Sequence, residues 1–146
     1  MMSTHTLAAL AMLALSSLAT AKPAELNFTG NWEIDLRTPA ERAAKAECGH
    51  AYFMLEQRGH EITGDHGYAT PGCGRVNNAG PVHGQVRKGS AWLEVTSAGQ
   101  GAVVRGRATL VKGKLMWRTL EVLKPGTPEG DSPLILDKGL LYRLPD

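Results

Sequence analysis

Four histidines, His50, His60, His66 and His83, share the polar part of the sequence with Cys48 and Cys73. Imidazole, thiolate and carboxylate are the usual ligands of zinc. His60-Glu61 followed by His66 has the residue types of a zinc-hydrolase helix, but that motif sets its two histidines four apart on one helical face. Here they are six apart in a segment that alternates like a strand. At about 3.3 Å per residue their rings would stand roughly 20 Å apart. A site built across strands, His66 with His83, stays open as the one metal candidate. The alternative is that the histidines are exposed polar and turn residues, and no resident metal or cofactor is expected.

Nucleophilic catalysis finds little support. The chain has no Gly-x-Ser-x-Gly elbow, and no serine lies in sequence near a matched His and Asp. Carboxylate pairs for glycoside chemistry can be drawn from Glu33, Asp35, Glu61, Asp65 or Glu94. Any soluble domain with 14 acidic residues supplies such pairs by chance, so they decide nothing. Ser97–Gly106 is glycine-containing but lacks the Lys-Ser/Thr end of a phosphate loop. An enzyme is not the expected reading. The aromatic residues Tyr68, Trp92 and Trp117 are the candidate ligand-lining set, suited to a small apolar or sugar-like molecule. Their alternative role is core packing in a chain with few large side chains.

The elements that must position these residues begin after an export leader. Leu7–Leu18 is apolar and uncharged but too short for a membrane span, which needs about 20 residues. It runs into Ala19-Thr20-Ala21, a small-x-small cleavage pattern, and then a polar chain. The expectation is a signal peptide over residues 1–21 and one domain over 22–146. No cysteine lies beside the cleavage point, so no lipid anchor is expected, and the protein is placed in the periplasm or secreted. In an oxidising compartment Cys48 and Cys73 form a disulfide. A net charge of +2 is too small and too evenly spread to argue for nucleic acid or an anionic membrane.

Beyond residue 26 the pattern is a meander. Asn27–Leu36 alternates as a first strand, with Phe28, Trp32 and Ile34 at even spacing. Thr38–Glu47 reads as a surface helix, with Thr38 and Glu41 as a capping box and Pro39 in the first helical position. Strand-like segments then recur at 51–57, 61–69, 81–87, 91–96, 102–111 and 114–122, joined by short Gly-containing turns. A last strand, Gly139–Leu144, follows a Pro/Gly-rich loop over 124–133. In Ala102–Val111 the set Val104, Gly106, Ala108 and Leu110 faces the core, and Arg105, Arg107 and Thr109 face water. About eight antiparallel strands predict an all-β, up-and-down barrel with one short helix; a two-sheet β-sandwich is the alternative. Small residues at inward positions (Gly64, Gly84, Gly106, Ala108) serve tight curvature or leave a cavity.

Phe28-Thr29-Gly30-Asn31-Trp32 resembles the G-x-W opening of the lipocalins and the wider calycin group. The resemblance implies that Trp32 closes the base of a barrel and that a late basic residue, Arg143, packs over it. Glu61-Ile62-Thr63-Gly64 is similar to the second hairpin of small bacterial avidin-like and lipocalin-like barrels. Biotin binding does not carry over, because Ile34 and Asp65-His66 stand where avidins place polar ligand contacts.

The reading that follows is an exported, non-enzymatic binding protein on a small calycin-like barrel. It captures a small ligand in the barrel mouth, or recognises a partner with the loops at 70–80 and 124–133. The alternative is a protein inhibitor or immunity factor against an exported enzyme such as a cell-wall hydrolase. Metal binding through the histidines is third.

Overall fold

Each Gly-containing turn read from the sequence joins two antiparallel neighbours in the structure, a computed structural model that describes residues 25–129 and 133–146. The expected leader, residues 1–21, lies outside the described residues. Eight strands follow one another around a closed barrel: β1 Gly30–Asp35, β2 His50–Arg58, β3 Glu61–Ala69, β4 Val76–Arg87, β5 Ser90–Thr96, β6 Val103–Val111, β7 Lys114–Lys124 and β8 Lys138–Arg143. β1 pairs with β8 to close the cylinder, through Trp32↔Arg143 and Glu33↔Tyr142. The barrel replaces the sandwich alternative, since no sheet edge runs free around the cylinder.

Strand alternation builds the core. Ala91, Leu93 and Val95 point inward along β5, as do Val104, Gly106 and Ala108 along β6, while Trp92, Glu94, Arg105 and Arg107 point out. Inside, Trp32, Trp117, Phe28, Phe53, Ile62, Leu93, Leu115 and Leu141 are each almost wholly buried. The glycines serve curvature. A Cβ at Gly64 or Gly84 would fall 1.9 Å from the carbonyl oxygen of Met54 or Trp92 on the next strand. Gly106 leaves room for the Trp117 ring, which a Cβ would meet at 2.3 Å. The interior small residues are therefore filled against, and do not line a void.

The base is closed around Trp32. Its indole N–H donates to the Phe28 carbonyl at 2.9 Å. The Arg143 guanidinium lies 4.3 Å over the ring and donates to the Thr29 carbonyl at 2.7 Å. Gly30 makes this possible: its φ of +148° suits glycine, and a Cβ there would strike the guanidinium at 2.7 Å. An Arg143→Gln variant is expected to lose about 1–2 kcal/mol of stability, read as a lower urea midpoint with unchanged slope.

The helix is shorter than its alanine-rich sequence suggested. α1 spans Pro39–Ala43 and buries no residue. Thr38 Oγ1 accepts from the Glu41 N–H at 3.2 Å, and the Glu41 carboxylate accepts from the Thr38 N–H at 2.7 Å. With no apolar face to pack, nothing carries the helix past its capped turn. Cys48 and Cys73 are joined across the loops β1–β2 and β3–β4. β4 starts at Val76, earlier than the expected residue 81, because Asn77 is buried and bonded on both sides. Its amide donates to the Leu134 carbonyl and its oxygen accepts from the Ala98 N–H. Among the described residues no helix is long and apolar enough to cross a membrane.

Candidate functional site

The end of the barrel opposite Trp32 is the mouth through which the expected ligand would enter. Here Leu134, Ile135 and Leu136 fold into it as a strap, with Ile135 and Leu136 buried. Three side chains from the wall hold Leu136. The Trp117 indole N–H donates to its carbonyl at 2.6 Å, and the Thr119 hydroxyl donates to the same oxygen at 3.2 Å. Its N–H donates to Nε2 of His66 at 3.2 Å. The other ring nitrogen, Nδ1, lies 2.7 Å from the Tyr52 carbonyl and must carry the proton, because a carbonyl only accepts. His66 is wholly buried, with the Phe53 ring tilted against it at a centroid distance of 4.4 Å. Burial pushes its pKa down to about 4, outweighing the Tyr52 hydrogen bond, which favours the proton.

These contacts correct the metal candidate. His66 has both nitrogens engaged by backbone and faces the interior, whereas His83 is exposed on the outer wall, its Nε2 3.3 Å from Glu94. They stand on opposite faces of one sheet. Among the described residues no three His, Cys, Asp or Glu side chains are grouped to hold a metal.

The three aromatic candidates also separate. Trp117 belongs to the core, with its ring 5.0 Å from Phe53. Tyr68 is half-buried against the same core at the strap end. Trp92 alone faces outward, half-exposed in a groove of about 860 Å³ on the outer wall of β3–β6. Glu61, Thr63, His83, Gln85, Arg87, Glu94 and Arg105 line that groove with it. Arg107 lies 5.8 Å from the Trp92 ring.

Two cross-strand rows make up this wall. The first runs Thr63, His83, Glu94, Arg105, Glu121, each directly opposite the next. Arg105 donates to Glu94 at 2.8 Å and to Glu121 at 3.3 Å, so the row is an alternating ion ladder. Arg105 draws the Glu94 pKa below the usual carboxylate range, with His83 adding to the effect. The second row runs Glu61, Gln85, Trp92, Arg107, Arg118, Lys138. The sequence reading named Trp92 but missed the row, whose members meet only through strand register.

Set against family models, curated proteins and solved structures, the chain matches none.

Proposed function

We propose that this chain is an exported binding protein on a lipocalin-like barrel, and that it recognises a sugar-like ligand on its outer wall around Trp92. The single observation behind this reading is the contrast between the two faces of the barrel. The interior is packed with aromatic and aliphatic side chains, and its open end is plugged by Leu136. The outer wall offers one indole in a broad groove edged by hydroxyl, amide, carboxylate, imidazole and guanidinium groups. A half-exposed indole face covers the C–H surface of a sugar ring, while such polar groups meet its hydroxyls. Export is supported by the Cys48–Cys73 disulfide and by the leader-like segment.

Titration with a panel of oligosaccharides tests the reading. Replacing Trp92 with alanine is expected to weaken the best ligand at least about tenfold, or about 1.4 kcal/mol, with melting behaviour nearly unchanged. Equal affinity in the variant would sink it. So would a small molecule found inside the barrel by native mass measurement of protein from its own host.

The inhibitor reading has an observation of its own. The disulfide pins the Pro71–Cys73 turn to the chain entering β2, which holds the loop at 70–75 rigid enough to enter an enzyme cleft. Capture of a secreted hydrolase by the wild type, and not by a variant with this loop replaced, would favour it.

A further inference from the structure

Opposite charges directly across neighbouring strands stabilise a sheet, and like charges destabilise it. The first outer row obeys this rule from His83 to Glu121. The second row breaks it. Arg107 stands opposite Arg118, and Arg118 stands opposite Lys138, three exposed cations on three consecutive strands. No ion pair reaches any of them among the described residues, and the carboxylates of the neighbouring row, Glu94 and Glu121, are held by Arg105. Asp137 precedes Lys138 in the chain but makes no ion pair with it. Trp92 stands at the end of this cationic run, directly opposite Arg107.

From this arrangement we infer that the row Trp92–Arg107–Arg118–Lys138 is a binding site for an anionic glycan, a chain of sugars bearing carboxylate, sulfate or phosphate groups. The inference rests on the outer-wall reading above and adds the charge of the ligand. Neighbouring strands lie about 4.8 Å apart, so three cations in a row place positive charge at regular steps across the wall. An extended acidic sugar chain repeats its charge in steps of the same order. The indole supplies the stacking surface at one end, and the adjoining groove takes an uncharged sugar beside it. An acidic protein surface or a nucleic acid would need the charges but not the indole with hydroxyl-binding neighbours. The small overall charge of +2 gives such polyanions no general hold on the protein.

The row also fixes a signature that a merely decorative surface lacks. Converting Arg118 to glutamate turns Arg107–Arg118–Lys138 into an alternating ladder. The variant should melt roughly 2–4 °C higher than the wild type while losing the ligand.

Oligogalacturonate and its fully methyl-esterified form are suitable probes, since they share a chain and differ in charge. The wild type is expected to bind the acid form at least about tenfold more tightly than the ester, with affinity falling as salt rises from about 50 to about 200 mM. Arg107→Gln with Arg118→Gln should close that gap, and Trp92→Ala should weaken both forms. Equal binding of the two forms, with Trp92 still required, would overturn the anionic assignment and leave the outer-wall reading standing. Binding of neither form would overturn the anionic assignment, and indifference to Trp92 across the whole oligosaccharide panel would remove the outer-wall reading as well. Polyglutamate or duplex DNA binding as tightly as the acid form, without need of Trp92, would also overturn the glycan assignment.

Discussion

Taking the protein from pH 7 to pH 5 is expected to remove about 2 kcal/mol of stability and lower its melting temperature by about 5–10 °C, with His66 as the group responsible. The folded pKa of His66 is about 4, against an ordinary value of 6.5. Between those values the unfolded chain holds a proton that the native barrel refuses, so stability rises with pH across this window and falls as the solution is acidified. The loss reaches about 3 kcal/mol near pH 4 and levels off below it, once the native state is protonated as well. The geometry gives the reason: a proton on Nε2 would face the Leu136 N–H that now donates to it, so acid acts directly against the strap. Packed around the ring are Phe53, the Tyr52 backbone and Leu136, none of them titratable in this range. Asp35, Glu41 and Glu94 have pKa values held below the carboxylate range by Arg37, Thr38 and Arg105 respectively, so the stability they add is lost only below about pH 4–4.5. A His66→Gln variant should be less stable at pH 7 but flat between pH 7 and pH 5. A variant that keeps the full slope would refute the role given to His66.

The second large effect is expected from the disulfide. Cys48 and Cys73 are 25 residues apart in sequence, and their cross-link limits the unfolded chain. In the chain-entropy model its removal lowers stability by about 3–4 kcal/mol. A Cys48→Ser, Cys73→Ser double variant should unfold at a correspondingly lower urea concentration with a somewhat steeper dependence on denaturant. Both cysteines sit in loops at the strap end, away from the outer wall of β3–β6. Oligosaccharide binding by the folded variant should therefore equal that of the wild type, whereas any recognition through the loop at 70–75 should decline. A midpoint unchanged by the double substitution would show that the bond adds no stability.

The eight-stranded plan was legible because its signals are local. Arg58-Gly59, Lys88-Gly89 and Lys112-Gly113 sit in tight turns, and Gly59, Gly89 and Gly113 take the positive φ such turns require. Alternation in 102–111 placed Arg105 and Arg107 outside and Val104 and Ala108 inside, as the structure has them. The same alternation separates Trp92 from Ala91 and Leu93, so its outward aim was available to a reader who followed one strand. The strap was not legible. Leu134-Ile135-Leu136 has no strand or helix period, lies in a segment punctuated by proline and glycine, and owes its place to partners as distant as His66. The early start of β4 was hidden by Asn77-Asn78-Ala79-Gly80, which reads as a turn until the buried amide of Asn77 finds Leu134 and Ala98. The cationic row was hidden for a different reason. Arg107 and Arg118 face each other in the register that the Lys112-Gly113 turn sets, but Lys138 joins them only through the pairing of β8 with β7 across a long loop, which spacing cannot register.

The seam between β1 and β8 sets the order in which this barrel is made. Every other pairing joins strands adjacent in sequence, so seven hairpins can assemble one after another as the chain emerges. Closure must wait for Arg143, the residue that both pairs with Trp32 and covers its ring. Until then the nascent sheet carries a bare edge at β1 and an uncovered indole, the combination that invites pairing with a second chain. Two paired positions and one backbone hydrogen bond, from the Leu144 N–H to the Asn31 carbonyl, hold the finished seam. These are fewer than join β7 to β8, so the same joint is where the native cylinder should first come apart. Amide exchange at Trp32 and Glu33 is expected to outpace exchange in β5 and β6.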